Sequence, residues 1–220
     1  MAATLSALRT QVRENLGQSS DPSSGKWTNV EITQKINNRI RRLNRWFKVG
    51  TIDTSITTTS NTFEYNFPTD VVEIDKIELW DLSDSNNYEN LGEILNWKTI
   101  NDAGTWKILF PDELSADSDT PSRYTLKIFG KKRLTELSDD DDTFNGELEM
   151  EEWVVLGASA DCLRDLLRSR VDMSRYMAQA ERRAGNEIDI SRAIREYQSE
   201  MNTLLSDFKT ARAQRLSYEM

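Results

Sequence analysis

Between Glu136 and Glu152 the chain carries nine acidic residues and no basic one. The densest part, Asp139, Asp140, Asp141 and Asp142, is where carboxylates crowd closely enough for cation binding to be considered. It lacks the alternating Asp-x-Asn-x-Asp-Gly spacing and the trailing bidentate Glu of a calcium loop, so a solvated acidic loop is the plainer reading. With 37 Asp and Glu in the chain, a carboxylate pair for glycoside hydrolysis can always be drawn, and nothing marks one pair. The chain has no histidine, which removes Ser-His-Asp and Cys-His nucleophile systems and His-ligated zinc. Its single cysteine, Cys162, sits in an apolar helical context and reads as a small buried hydrophobe. Neither Gly-x-x-x-x-Gly-Lys nor Gly-x-Gly-x-x-Gly occurs among the nine glycines. The expectation is a protein with no catalytic constellation, no metal and no cofactor.

The opposite charge is concentrated in one place. Lys35, Arg39, Arg41, Arg42, Arg45 and Lys48 stand against Glu31 alone, so residues 31–50 carry +5 in a chain of net charge −9. With Trp27 and Trp46 nearby, these cations could contact phosphates. The net charge would steer free nucleic acid away, and no nucleic-acid-binding module matches. Residues 51–135 carry eight basic and fifteen acidic residues, and 136–152 carry −9. That asymmetry suits identical subunits packed side by side, basic face to acidic face. Arg39, Arg41, Arg42 and Arg45 are therefore the subunit-interface candidates, against the plainer reading of a solvated helix face with local ion pairs.

The elements that position these residues are legible from periodicity. Thr28 and Glu31 form a capping-box signature, and Ile32, Ile36, Ile40, Leu43 and Phe47 give one apolar stripe, predicting a helix over about 28–48 ended by Gly50. Before it, Leu5, Leu8, Val12 and Leu16 predict a helix over 4–16 with Gly17 as its C-cap, then a polar loop from Gln18 to Lys26. Residues 51–67 are rich in β-branched and aromatic types and predict two strands around Ser60 and Asn61, the second stopped by Pro68. A long bulged strand is expected over 71–80, a polar loop around 84–87, and further strands near 93–100, 104–110 and 122–130, with Asp102, Ala103 and Gly104 as a hairpin turn. Helical pattern resumes over 147–169, with Trp153, Leu156, Cys162 or Leu163, and Leu166 on a buried face. A helix over 172–185 capped by Asp172 and a last one from near Ile188 to about Leu216 complete the chain.

The fold class is therefore α+β, a helical bundle from the N- and C-terminal helices with an inserted, mostly antiparallel β-domain. The expected divisions are 1–50 with 147–220 as bundle, 51–135 as β-domain and 136–146 as an acidic linker. The hydrophobic fraction, 37%, is low for a self-sufficient globule, which suits an oligomer whose apolar surface is completed by neighbours. No apolar run approaches the ~20 residues that cross a bilayer, and the N-terminus lacks a secretory pattern. A soluble protein made in a cytoplasm, with no membrane partner, is expected.

Trp27, Thr28, Glu31 and Ile32 followed by Ile36, Asn37, Ile40, Arg41 and Leu43, and later the acidic helix start Glu147, Glu149, Glu151, Glu152 and Trp153, resemble the head-to-tail connector (adaptor) proteins of tailed bacteriophages. The resemblance covers most of the chain in order of elements. It implies a structural, non-enzymatic role in the virion neck after assembly in the host cytoplasm. The implied form is a homo-oligomeric ring, typically a dodecamer, below the portal protein, extending the DNA channel and giving tail or nozzle proteins their platform. DNA would pass without specific binding along an acidic lumen, for which Asp139, Asp140, Asp141 and Asp142 are the candidates. Tyr197, Met201, Leu204, Leu205 and Phe208, with Arg212 and Arg215, are the portal-docking candidates on the last helix. The competing readings are another phage neck or tail assembly protein, a carboxylate-based cell-wall hydrolase, and a nucleic-acid binder using the basic helix.

Overall fold

A computed structural model describes residues 2–18, 26–59, 61–81, 89–111, 114, 124–168 and 187–218, with side chains omitted for 187, 188 and 209–218. The chain is α+β. It divides into two compact units, Met1–Trp46 with Leu134–Met220 (unit 1) and Phe47–Arg133 (unit 2). The loop from Gln18 to Lys26, the turn residue Ser60, the loop at 84–87 and the helix expected over 172–185 fall wholly or mostly outside the described residues.

Unit 1 contains α1 (Leu5–Asn15), α2 (Asn29–Leu43), α3 (Leu148–Arg168) and α4 (Glu187–Tyr218). Helix α1 begins because the Thr4 hydroxyl accepts from the Ala7 N–H, and Gly17 follows it at φ +66°, a backbone region glycine enters without steric cost. Its apolar residues Leu5, Leu8, Val12 and Leu16 are all buried. Helix α2 starts with both halves of the capping box. The Thr28 hydroxyl accepts from the Glu31 N–H at 3.2 Å, and the Glu31 carboxylate accepts from the Thr28 N–H at 2.8 Å. Trp27 and Ile32 hold the two positions of a hydrophobic staple and both are buried. The Trp27 carbonyl also accepts from the buried Arg13 guanidinium at 2.9 Å, which ties the entry of α2 to the end of α1.

Helix α2 stops at Leu43, five residues before the expected end, and Gly50 lies inside a strand. The Asn44 side chain explains the stop. Its amide donates to the Leu134 carbonyl at 2.9 Å and its carbonyl accepts from the Leu134 N–H at 2.7 Å, which sets the α2 C-terminus against the returning chain. One heptad earlier, Asn37 makes the same two-way pairing with Leu137, at 2.8 and 3.0 Å. Two asparagines on one edge of α2 thus satisfy the backbone of an extended segment as a neighbouring strand would. Both leucines are buried.

Helix α3 is more central than a one-faced helix. From Trp153 through Ala160 every residue is buried, because α1, α2 and α4 all pack against it. Small residues, Gly157, Ala158, Ser159 and Ala160, let those neighbours approach. Ser159 sits among them without an unsatisfied hydroxyl, donating to the Val155 carbonyl and accepting from Asn15. The Cys162 thiol is fully buried, and burial pushes its pKa up to about 12, so it is an inert packing group.

Unit 2 is a pair of antiparallel sheets. Strands β1 (Val49–Thr57), β7 (Tyr124–Lys132), β3 (Glu73–Asp81) and β4 (Glu89–Glu93) form one in that order, and β2 (Glu64–Asn66), β6 (Thr105–Leu109) and β5 (Lys98–Asp102) the other. Their inner faces meet through Tyr65, Ile77, Ile108, Phe110, Leu126 and Ile128. Tyr65 packs edge-to-face on Phe110, ring centroids 5.9 Å apart, while its hydroxyl accepts from the Thr59 N–H. The expected hairpin is present. Ala103 (φ +49°) and Gly104 (φ +90°) make a two-residue turn with both central residues in the left-handed region, the geometry that joins twisted antiparallel strands. The expected bulge falls between Ile74 and Lys76. The strand expected over 93–100 is instead two. β4 pairs with β3 and β5 with β6, so the chain changes sheets at 94–97, where Ile94 and Trp97 pack on the core. Gly130 of β7 lies against β3, where a Cβ would come within 2.3 Å of the Glu73 carbonyl oxygen.

Candidate functional site

The six cations of the basic stretch divide by what surrounds them. Arg39 borders the apolar stripe, one turn from Ile36 and from Leu43, and is 5% exposed. It lies over Gly157 of α3 and makes a bidentate pair with Asp161, Nε at 2.7 Å and Nη2 at 2.6 Å, while its guanidinium sits 5.7 Å from the Trp153 ring centroid. Arg39 is thus turned into unit 1 and does not present its charge to a second molecule. Lys35 pairs with Asp165 one turn further along α3. Arg41 is exposed and forms a two-pronged pair with Glu136, both contacts 2.6 Å, which holds the Glu136 carboxyl below its ordinary range. Lys48 belongs to unit 2, where it pairs with Glu73.

Arg42 and Arg45 are different. Both are exposed, and neither makes an ion pair among the described residues. Together with Lys35, Arg41, Arg164 and Arg168 they line a groove of about 490 Å³ between α2 and α3, whose carboxylates among the described residues are Asp161 and Asp165. The Arg168 side chain is 81% exposed and reaches Asp165 only at 3.7 Å. At the α2 end of this edge Trp46 stands 49% exposed, its ring packed edge-to-face on Trp153. Arg164 and Arg168 complete the site and were missed in the sequence. Their spacing matches the groove edge of α3, but nothing local marks which edge of that helix faces α2.

The stretch expected to be an acidic linker is built into unit 1. The Asp142 carbonyl accepts from the Leu5 N–H at 2.8 Å, the Asp140 carbonyl from the Ser6 N–H at 3.2 Å, and Phe144 donates to the Ala3 carbonyl. The first two satisfy first-turn donors of α1 that no intrahelical carbonyl can reach. The Asp142 carboxylate accepts from the backbone N–H groups of Ser138 and Asp139, which keeps its pKa below the ordinary aspartate value. Asp140 pairs with Arg9. Of the four lumen candidates, Asp140 and Asp142 therefore have partners within the chain. Asp139 and Asp141 are exposed without an ion pair among the described residues, as are Glu147, Glu149 and Glu152 around the start of α3.

On α4 the portal-docking candidates also separate. The Tyr197 hydroxyl donates to the Asn15 carbonyl at 2.9 Å and Met201 is 6% exposed, so both face their own bundle, where Ile190 and Ile194 are also buried. They pack unit 1. Leu204, Leu205 and Phe208 are half-buried, and the side chains of Arg212 and Arg215 lie outside the described residues. In unit 2 a groove of about 500 Å³ is lined by Phe67, Val72, Ile74, Trp97 and Trp106, with Trp106 55% exposed. Strand alternation puts Trp106 on the same side as core Ile108, yet its ring stays open to the groove.

Among the described residues no helix is long and apolar enough to cross a membrane. Unit 1 offers charged contact area and unit 2 an exposed aromatic groove, surfaces suited to contact with other macromolecules. The family model of the SU10 adaptor protein matches residues 3–218, and the chain belongs to that family of bacteriophage adaptor proteins. No curated protein matches the sequence. The adaptor family and the α+β arrangement of helices flanking a β-domain agree with the expectations from the sequence.

Proposed function

We propose that this adaptor acts as a ring below the portal of a tailed phage, extending the DNA channel and giving the tail its platform. The observation that carries the reading is the unsatisfied charge of unit 1. Arg42 and Arg45 have no ion pair among the described residues, while Glu147, Glu149, Glu152, Asp139 and Asp141 on the same unit also lack one. A lone subunit leaves both sets to water, and lateral packing of copies would join them. Family membership supports the structural role. Twelve copies, an acidic lumen and a position in the virion neck are what the resemblance to connectors implies.

Portal attachment is assigned to the distal part of α4. A helix of 32 residues runs about 48 Å, and its burial falls off after Met201, leaving Leu204, Leu205 and Phe208 half-buried ahead of Arg212 and Arg215. Deleting residues 209–220 is expected to impair portal attachment while the thermal unfolding of the chain is unchanged. Mass photometry of the protein with and without purified portal tests the whole reading. The expected result is a discrete multi-copy species carrying portal. A subunit that remains a monomer in the presence of portal would overturn it.

A further inference from the structure

The two unsatisfied surfaces of unit 1 differ in sign. Among the described residues the groove is lined by six cations and two carboxylates. The acidic surface surrounds the first turn of α3, where Glu147, Glu149 and Glu152 are exposed and Leu148 between them is 71% exposed. Glu149 and Arg164 are fifteen residues apart on the helix, or about 22 Å along its axis. That is more than twice the ~8 Å screening length at physiological salt, so Arg164 and Arg168 lie beyond effective reach of Glu149 in their own copy. Each also carries an apolar anchor at its rim, Trp46 beside Arg45 and Leu148 beside Glu149. An exposed aromatic or aliphatic anchor within a charged rim is the anatomy of a protein–protein contact.

We propose that the acidic first turn of α3 in one copy seats in the α2–α3 groove of the next, with Glu149 and Glu152 facing Arg42, Arg45 and Arg168. This rests on the ring reading above and says which surfaces make it. Phosphate groups could also fill the groove, but they would leave the acidic end and Leu148 uncovered and would have to approach a chain of net charge −9. A second copy covers both surfaces at once. Seated in the next copy rather than exchanged reciprocally within a pair, the contact is heterologous. Each copy keeps one of each free for the next, which builds a closed ring when the rotation between copies closes.

Charge reversal in the full chain tests this, under the conditions in which the wild type assembles with portal. R42E/R45E alone and E149K/E152K alone are each expected to weaken assembly more than about tenfold in mass photometry, since like charges then meet. Their equimolar mixture is expected to restore it, because the native contact and the doubly reversed contact alternate around the ring. R42Q/R45Q is the milder variant, expected to shift assembly in the same direction with less salt dependence, and circular dichroism checks folding of all three. If the wild type forms its ring and both reversals do so equally well, or the mixture restores nothing, this interface is wrong and the ring reading stands. A species that stops at two copies would mean an isologous contact and would also overturn it. A DNA mobility shift abolished by R42E/R45E with assembly intact would assign the groove to phosphate instead. A wild type that stays monomeric with portal removes the ring reading and this proposal with it.

Discussion

Arg39 and Arg42 stand one turn apart on α2 and meet opposite surroundings. Arg39 is enclosed by Gly157, Asp161 and Trp153 of α3, and Arg42 opens onto the groove with no ion pair among the described residues. The inner edge of the helix uses its charge to set the register of two helices. The outer edge leaves its charge available for a partner. Two arginines of one basic stretch thus have different physics, since a desolvated guanidinium must have its anion and a hydrated one need not.

Removing the anion from the inner edge is the sharpest way to break this comparison. D161A leaves Arg39 buried and uncompensated and is expected to cost about 3–5 kcal/mol in urea unfolding, against less than about 0.5 kcal/mol for R42A/R45A. Equal costs would erase the distinction between the edges. A smaller effect follows from G157A. Its Cβ would lie 2.7 Å from Arg39 Cδ, and the guanidinium is pinned by Asp161, so a loss of about 1–3 kcal/mol is expected by the same assay. N37A should cost a similar or slightly smaller amount, about 1–2 kcal/mol, because the Leu137 N–H and C=O lose their side-chain partner at a buried residue. Amide exchange at Leu137 should quicken in that variant.

The smallest effect is the acid response of the loop beside α1. Glu136 and Asp142 both have pKa values lowered in the folded protein, by the hydrogen bonds from Arg41 and from the backbone of Ser138 and Asp139. A lowered carboxyl favours folding above its unfolded value, ordinarily about 4, and that contribution is lost as pH falls through the folded value. Amide exchange at Ser138 and Asp139 is therefore expected to be slow at pH 6 and to lose protection below about pH 4. D142N should remove most of that pH dependence. Unchanged protection on acidification would show that the aspartate carboxylate is not what holds the loop.

The stops and turns that local chemistry dictates were legible in the chain. The Thr28–Glu31 box, the buried stripe from Ile32 to Leu43, Gly17 at positive φ and the Ala103–Gly104 turn each depend on residues within a few positions of one another. The early end of α2 was not legible, because Asn44 answers to Leu134, ninety residues away. The split near 93–100 was hidden for a similar reason. Which sheet each half joins depends on partners β3 and β6, and both halves have strand-like composition. A clue to Arg39 was present in its i+3 and i+4 spacing to Ile36 and Leu43, but a charge at the edge of a stripe can equally reach outward to water.

By itself, then, the sequence determined the α+β class, the order of helices around the β region, the apolar faces, the caps and the concentration of opposite charge in two short stretches. These depend on propensity, periodicity and counting, which act along the chain. Only the tertiary structure decided which charges of those stretches are paired within the chain. Asp161, Asp165, Glu136 and Glu73 neutralise four cations of the basic stretch, Arg9 and the α1 first turn engage Asp140 and Asp142, and Arg42, Arg45, Asp139 and Asp141 make no ion pair among the described residues. The physical reason is that a charge is satisfied by whatever lies within hydrogen-bonding reach in space, and those neighbours come from segments far apart in the chain.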